Sequence, residues 1–110
     1  MSEFRLMILA DTPESAFVAQ SAGVDCIFYD LEYIGKSERQ YGRNTVISHN
    51  DIEKLPSVKA VLTTSQLLVR TNPIGPYTAM EVEKAIEYGA DILMLPMVMD
   101  QHDVETYIDL

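Results

Sequence analysis

The chain of 110 residues predicts an α/β protein with a parallel sheet, made of four βα units of the kind that build a (β/α)8 TIM barrel. Three observations carry this. Four apolar runs alternate with segments of helical pattern, the order that parallel strands joined by right-handed crossovers require. Two of those runs, Cys26-Ile27-Phe28-Tyr29-Asp30-Leu31-Glu32 and Leu67-Leu68-Val69-Arg70-Thr71-Asn72, are mostly apolar and end in charge. A buried parallel strand has this look when its C-terminal end opens into a site. Finally, Ala19-Gln20-Ser21-Ala22-Gly23-Val24-Asp25 and Ala85-Ile86-Glu87-Tyr88-Gly89-Ala90-Asp91 share the pattern A-x-x-x-G-x-D at an offset of 66 residues. That offset is two units of roughly 33 residues, near the length of one βα repeat.

The elements follow in order. Residues 4–10 form the first strand, closed by Asp11. Thr12 then reads as a helix N-cap with Pro13 at the first helical position. That helix runs to Ala22 and stops at Gly23, which tolerates a left-handed backbone. The second strand occupies about residues 25–31. A polar stretch at 34–44 carries Lys36, Arg39 and Arg43. It is either a solvated loop or a lid that meets an anionic substrate tail. A helical segment begins near Ser48, split or kinked by Pro56, and residues 67–71 form the third strand. Thr78-Ala79-Met80-Glu81 matches a capping box, with Ala79, Val82, Ala85 and Ile86 on one helical face. Gly89 ends that helix, residues 92–98 form the fourth strand, and a last helix starts near His102. Met94, Met97 and Met99 read as core filler beside the fourth strand. His49 and His102 have no partner at metal-ligand spacing and read as surface residues.

Four units are half of an eight-unit barrel, which takes roughly 250 residues. A half barrel has two open edges and an apolar inner face. The expectation is therefore that residues 1–110 are the N-terminal half of one barrel domain in a longer protein, or that the sheet closes on another copy as a homo-oligomer. A self-contained open sheet is the third arrangement.

Composition narrows the function classes. The chain is 47% hydrophobic and 23% charged, and no apolar run approaches the roughly 18 residues that cross a bilayer. Its first residues lack the basic and apolar regions of a secretory signal. Cys26 is the only cysteine, so neither a disulfide framework nor a thiolate metal site can be built, and a cytoplasmic location is the default. A net charge of −9 argues against nucleic acid or an anionic membrane as partner.

Taken together, Asp30-Leu31-Glu32, Leu68-Val69-Arg70-Thr71-Asn72-Pro73 and Gly89-Ala90-Asp91-Ile92-Leu93-Met94-Leu95-Pro96-Met97-Val98 resemble the HpcH/HpaI aldolase and citrate lyase β-subunit family, in that family's order and spacing. The resemblance implies a (β/α)8 barrel of the phosphoenolpyruvate/pyruvate superfamily. It also implies a class II aldolase or citrate-lyase-like carbon–carbon lyase acting on a keto acid or acyl thioester through an enolate stabilised by Mg²⁺ or another divalent ion. Arg70 stands at the position that would grip the substrate carboxylate through a planar fork. Asp30 and Glu32 would join it as catalytic groups, one orienting Arg70 and the other, Glu32 by preference, holding metal-bound water. Asn72 and Tyr33 would line the substrate site. Arg70 merely paired with Asp30 or Glu32 is compatible with these roles. Two departures stand out. Tyr33 falls where the family carries a His or an Asp, and a phenol is a poor base at neutral pH. The family's direct metal ligands lie on the fifth and sixth strands, beyond Leu110.

Overall fold

The computed structural model describes residues 4–32 and 51–110. Strand β1 (Met7–Leu9) leads to helix α1 (Pro13–Ser21) and strand β2 (Cys26–Asp30). A 3-10 turn (Ile52–Lys54) then runs into α2 (Leu55–Ala60), β3 (Gln66–Arg70), α3 (Thr78–Glu87), β4 (Ile92–Met94) and α4 (Gln101–Ile108). The four strands form one sheet in the order β1-β2-β3-β4, every pairing parallel. Consecutive strands therefore sit side by side, as short βα crossovers dictate.

Local chemistry explains the element ends. The Thr12 hydroxyl accepts from the Ser15 N–H at 3.0 Å, Ser15 Oγ accepts from the Thr12 N–H at 3.3 Å, and Pro13 opens α1. Gly23 follows that helix with φ +96°, a conformation that side chains resist. Pro56 lies in the first turn of α2, where a missing N–H costs no helical bond. The segment expected to begin near Ser48 is thus divided into a 3-10 turn and a short α-helix within its described part.

The capping box expected at 78–81 does not form. Tyr77 occupies the N-cap of α3, while Thr78 Oγ1 accepts from the Gly75 N–H at 2.8 Å. Glu81 turns away to Asn72. With Thr78 drawn inward, the buried face becomes Thr78, Val82 and Ala85, and Ala79 and Ile86 are left exposed.

The repeated A-x-x-x-G-x-D motif has one structural job at both sites. The Asp25 N–H donates to the Leu6 carbonyl at 3.0 Å, and Asp25 Oδ2 accepts from the Leu6 N–H at 2.7 Å. Asp91 repeats the ring on Leu67, with both bonds at 2.8 Å. Each Asp closes the entry end of the neighbouring strand.

The main core lies between the sheet and the helices. Ile27, Tyr29, Leu31, Leu67 and Val69 meet Ala16, Leu55, Val58 and Ala85 there. Tyr29 is fully buried and its hydroxyl donates to the Asp51 carbonyl at 2.7 Å. Burial first, then the charges of Asp51 and Asp11, push its phenol up to about 12. Cys26, Phe28 and Leu68 form a smaller cluster on the other face. By register, Met7, Leu9, Ile92 and Met94 share that face, and all four are exposed.

Two expectations about β4 fail together. The strand stops at Met94 instead of running through 98, because Pro96 has no N–H to offer and Met97 adopts φ +53°. Met94, Met97 and Met99 are exposed and do not fill the core, since they lie on or past an edge strand that nothing covers among the described residues. The first strand is also shorter than residues 4–10, although Leu6 and Ala10 still bond to β2 or its flank. Among the described residues, no helix is long and apolar enough to cross a membrane.

Candidate functional site

The ladder pairs Asp30 with Arg70 at the C-terminal ends of β2 and β3, so the two side chains leave the sheet as cross-strand neighbours on one face. Arg70 Nε donates to Asp30 Oδ1 at 3.0 Å and Nη2 donates to Asp30 Oδ2 at 2.6 Å. This is a bidentate pair, the strongest form of such contact. Just past the strand, the Leu31 N–H still donates to the Arg70 carbonyl at 2.9 Å, and the Glu32 N–H donates to Asp30 Oδ1 at 2.9 Å. Glu32 Oε1 lies 3.6 Å from Arg70 Nε. Phe28, two residues before Asp30 and hence on the same face, lies with its ring centroid 5.2 Å from the guanidinium carbon.

The result is a guanidinium with a fixed plane. Its hydrogen bonds to Asp30 hold it charged still more firmly, against burial that acts the other way, with the Asp30 and Glu32 charges adding to the first effect. The side chain keeps 27% of its surface in solvent, whereas Glu32 is buried. Asp30 occupies Nε and one hydrogen of Nη2; among the described residues Nη1 has no hydrogen-bond partner. The edge formed by Nη1 and Nη2 can therefore take a second carboxylate in the guanidinium plane.

Behind Arg70 the backbone is fastened to the helices. Asn72 is 2% exposed, and its N–H and Nδ2 donate to the two oxygens of Glu81 at 2.6 and 2.8 Å. The Thr71 and Tyr107 hydroxyls are 2.9 Å apart. The following loop packs on itself: Tyr77 donates to the Pro73 carbonyl at 2.6 Å, and a Cβ on Gly75 would lie 2.7 Å from the Tyr77 ring. A side chain at Gly75 would have to displace the Tyr77 ring.

Of the residues expected at the site, the structure brings Asp30, Glu32 and Arg70 together. Asn72 stands two residues from Arg70 with its amide nitrogen engaged by Glu81. Asp11 is exposed just past β1, at the same end of the sheet. His102 is exposed on α4. Tyr33, Lys36, Arg39, Arg43 and His49 lie outside the described residues. Glu81 and Tyr107 went unrecognised as site supports. A clue to Glu81 was Asn72 itself, a polar residue closing an apolar strand that must find partners once buried. Among the described residues, no group of three or more His, Cys, Asp or Glu could hold a metal ion.

Comparison of the chain with known protein families finds no match, and comparison with curated proteins finds none.

Proposed function

We propose that this four-stranded unit is one half of a (β/α)8 barrel of the phosphoenolpyruvate/pyruvate type, and that it belongs to a cytoplasmic carbon–carbon lyase acting on a keto acid or acyl thioester. The observation that carries the reading is Arg70. A half-buried guanidinium at the C-terminal end of a parallel strand, locked by Asp30 and presenting an edge that no described residue hydrogen-bonds, suits the capture of a carboxylate beside a reacting carbonyl. Strand order, parallel pairing and the resemblance of the three motifs support the barrel.

In a retro-aldol step the bond between the α and β carbons of a β-hydroxy carbonyl compound breaks, its electron pair passes into the carbonyl as an enolate, and the β-hydroxyl carbon becomes a new carbonyl. The hydroxyl proton goes to a base, and the enolate is then protonated. Arg70 holds the adjoining carboxylate in the guanidinium plane and so fixes the carbonyl, while Asp30 and Glu32 keep the fork from turning. The divalent ion that the resemblance implies does not fit the described residues, because Asp30 and Glu32 are both drawn to Arg70 and no ligand cluster stands beside them. In this reading its ligands come from the strands that complete the barrel.

A second reading is a carboxylate-binding relative without turnover. It is favoured by Tyr33 at the place where the family has a His or an Asp. One experiment decides between them. The product of the whole natural reading frame is assayed, with divalent metal, for release of pyruvate or acyl thioester from hydroxy-keto acids and hydroxyacyl thioesters. Turnover abolished by Arg70→Met supports the lyase; pyruvate binding without turnover supports the relative, and neither would sink both.

A further inference from the structure

The exit of β3 is tied by three residues in a row. Arg70 is paired in register with Asp30 of β2. The Thr71 N–H donates to the Met94 carbonyl of β4 at 3.0 Å, and the Thr71 hydroxyl stands 2.9 Å from that of Tyr107 on α4. Asn72 is held from α3: its N–H donates to Glu81 Oε1 at 2.6 Å and its Nδ2 to Glu81 Oε2 at 2.8 Å. This last tie differs in kind, because one carboxylate takes two donors of one buried residue and both bonds are charge-assisted. It is also made at the expense of α3, whose N-cap, Tyr77, forms no side-chain capping bond while Glu81 serves the strand before it. A local rule given up beside a site points to a task in that site.

The geometry points to Glu81 as a positioning residue for Arg70. Asp30 grips the tip of the Arg70 side chain, and Glu81 grips the backbone two residues past its root. With both ends held, a long side chain gives up its freedom before a ligand arrives, which is the preorganisation that raises affinity. Glu81 thus aims the Nη1–Nη2 edge without touching what that edge binds. The inference rests on the carboxylate reading above for the identity of the ligand, but not for the aim of the guanidinium.

Arginine-selective ¹⁵N labelling of the product of the whole natural reading frame supplies the test. The Arg70 Nε–H signal is recognised by its loss in Arg70→Lys, and oxalate is titrated by calorimetry. Glu81→Gln keeps the shape of the side chain but turns a carbonyl to one Asn72 donor and an NH₂ group to the other. That variant should keep the far-ultraviolet circular dichroism, shift the Arg70 Nε–H signal and weaken oxalate binding about fivefold, the size of one lost hydrogen bond. Asn72→Ala removes the Nδ2 bond from the other side and should shift the same signal, which keeps the test in force if Glu81→Gln does not fold. Gln20→Ala loosens the turn before β3 and not its exit, so it should alter neither reading. An Nε–H signal unmoved by Glu81→Gln overturns the proposal, as does an equal shift in Gln20→Ala or an oxalate affinity that Glu81→Gln leaves unchanged. Failure of the wild type to bind oxalate would instead sink the carboxylate reading, and the Nε–H signal alone would then decide the role of Glu81.

Discussion

At the scale of single residues, the pairing of Asp30 with Arg70 was legible because both sit at the last position of adjacent parallel strands and so share a face. The partner of Asn72 was not. A Thr-x-x-Glu sequence is ambiguous: the glutamate can cap its own helix or satisfy a buried group elsewhere. Here the buried Asn72 N–H and amide claim Glu81, since leaving two such donors without partners would cost more than an uncapped, solvated helix start. The geometry of Arg70 yields the first prediction. Lysine keeps the charge but has neither the fork nor a flat face for Phe28. Arg70→Lys should therefore weaken pyruvate or oxalate binding by about 2 kcal/mol, roughly thirtyfold, as titrated by nuclear magnetic resonance. Unchanged affinity would show that the carboxylate docks elsewhere.

At the scale of elements, the alternation of strands and helices and their order could be read from hydrophobic runs and caps. The strand lengths could not, because apolar composition continues past the points where Pro96 and the left-handed Met97 stop β4. The repeated A-x-x-x-G-x-D motif showed a repeat without disclosing the hydrogen-bonded ring that Asp25 and Asp91 make. That ring has a pH signature. Burial pushes the Asp91 carboxyl up, but the Leu67 N–H and the Lys59 ammonium outweigh it, and the net shift is below the ordinary 3.8. A depressed folded value means that Asp91 adds stability above the unfolded value and loses it as pH falls through the folded one. Urea unfolding of the wild type should thus weaken more than that of Asp91→Asn between neutral pH and about pH 3. Equal losses would mean that the ring is not linked to protonation. Gln20 gave no sequence signal at all. Its Oε1 accepts from the N–H groups of Thr63, Thr64 and Ser65 at 2.7 to 3.0 Å, and its Nε2 donates to the Val61 carbonyl at 2.9 Å. One side chain thereby ties α1 to the turn before β3. Gln20→Ala should cost about 2 kcal/mol in urea unfolding, less than four separate bonds because two of the three N–H groups regain water. A loss under about 0.5 kcal/mol would mean the turn holds itself.

At the scale of the whole molecule, the sheet's direction is what gives the site its meaning. Parallel strands deliver all their C-terminal ends to one rim, so Asp11, Asp30, Glu32 and Arg70 gather there although they are spread over sixty residues of chain. The rim is acidic, but charge alone does not bind hard divalent ions. Mg²⁺ needs near-octahedral oxygens at about 2.1 Å, with one or two carboxylates free to turn toward it. Asp30 gives both oxygens to Arg70, and Glu32 is drawn to the same guanidinium. Recruiting either one would leave a half-buried cation short of its partner, a penalty that weak outer ligation cannot offset. Calorimetry of the 110-residue chain with Mg²⁺ or Mn²⁺ should accordingly show at most millimolar-scale affinity. Micromolar binding by the wild type would contradict this account and mean that Asp30 and Glu32 are not held by Arg70 in solution.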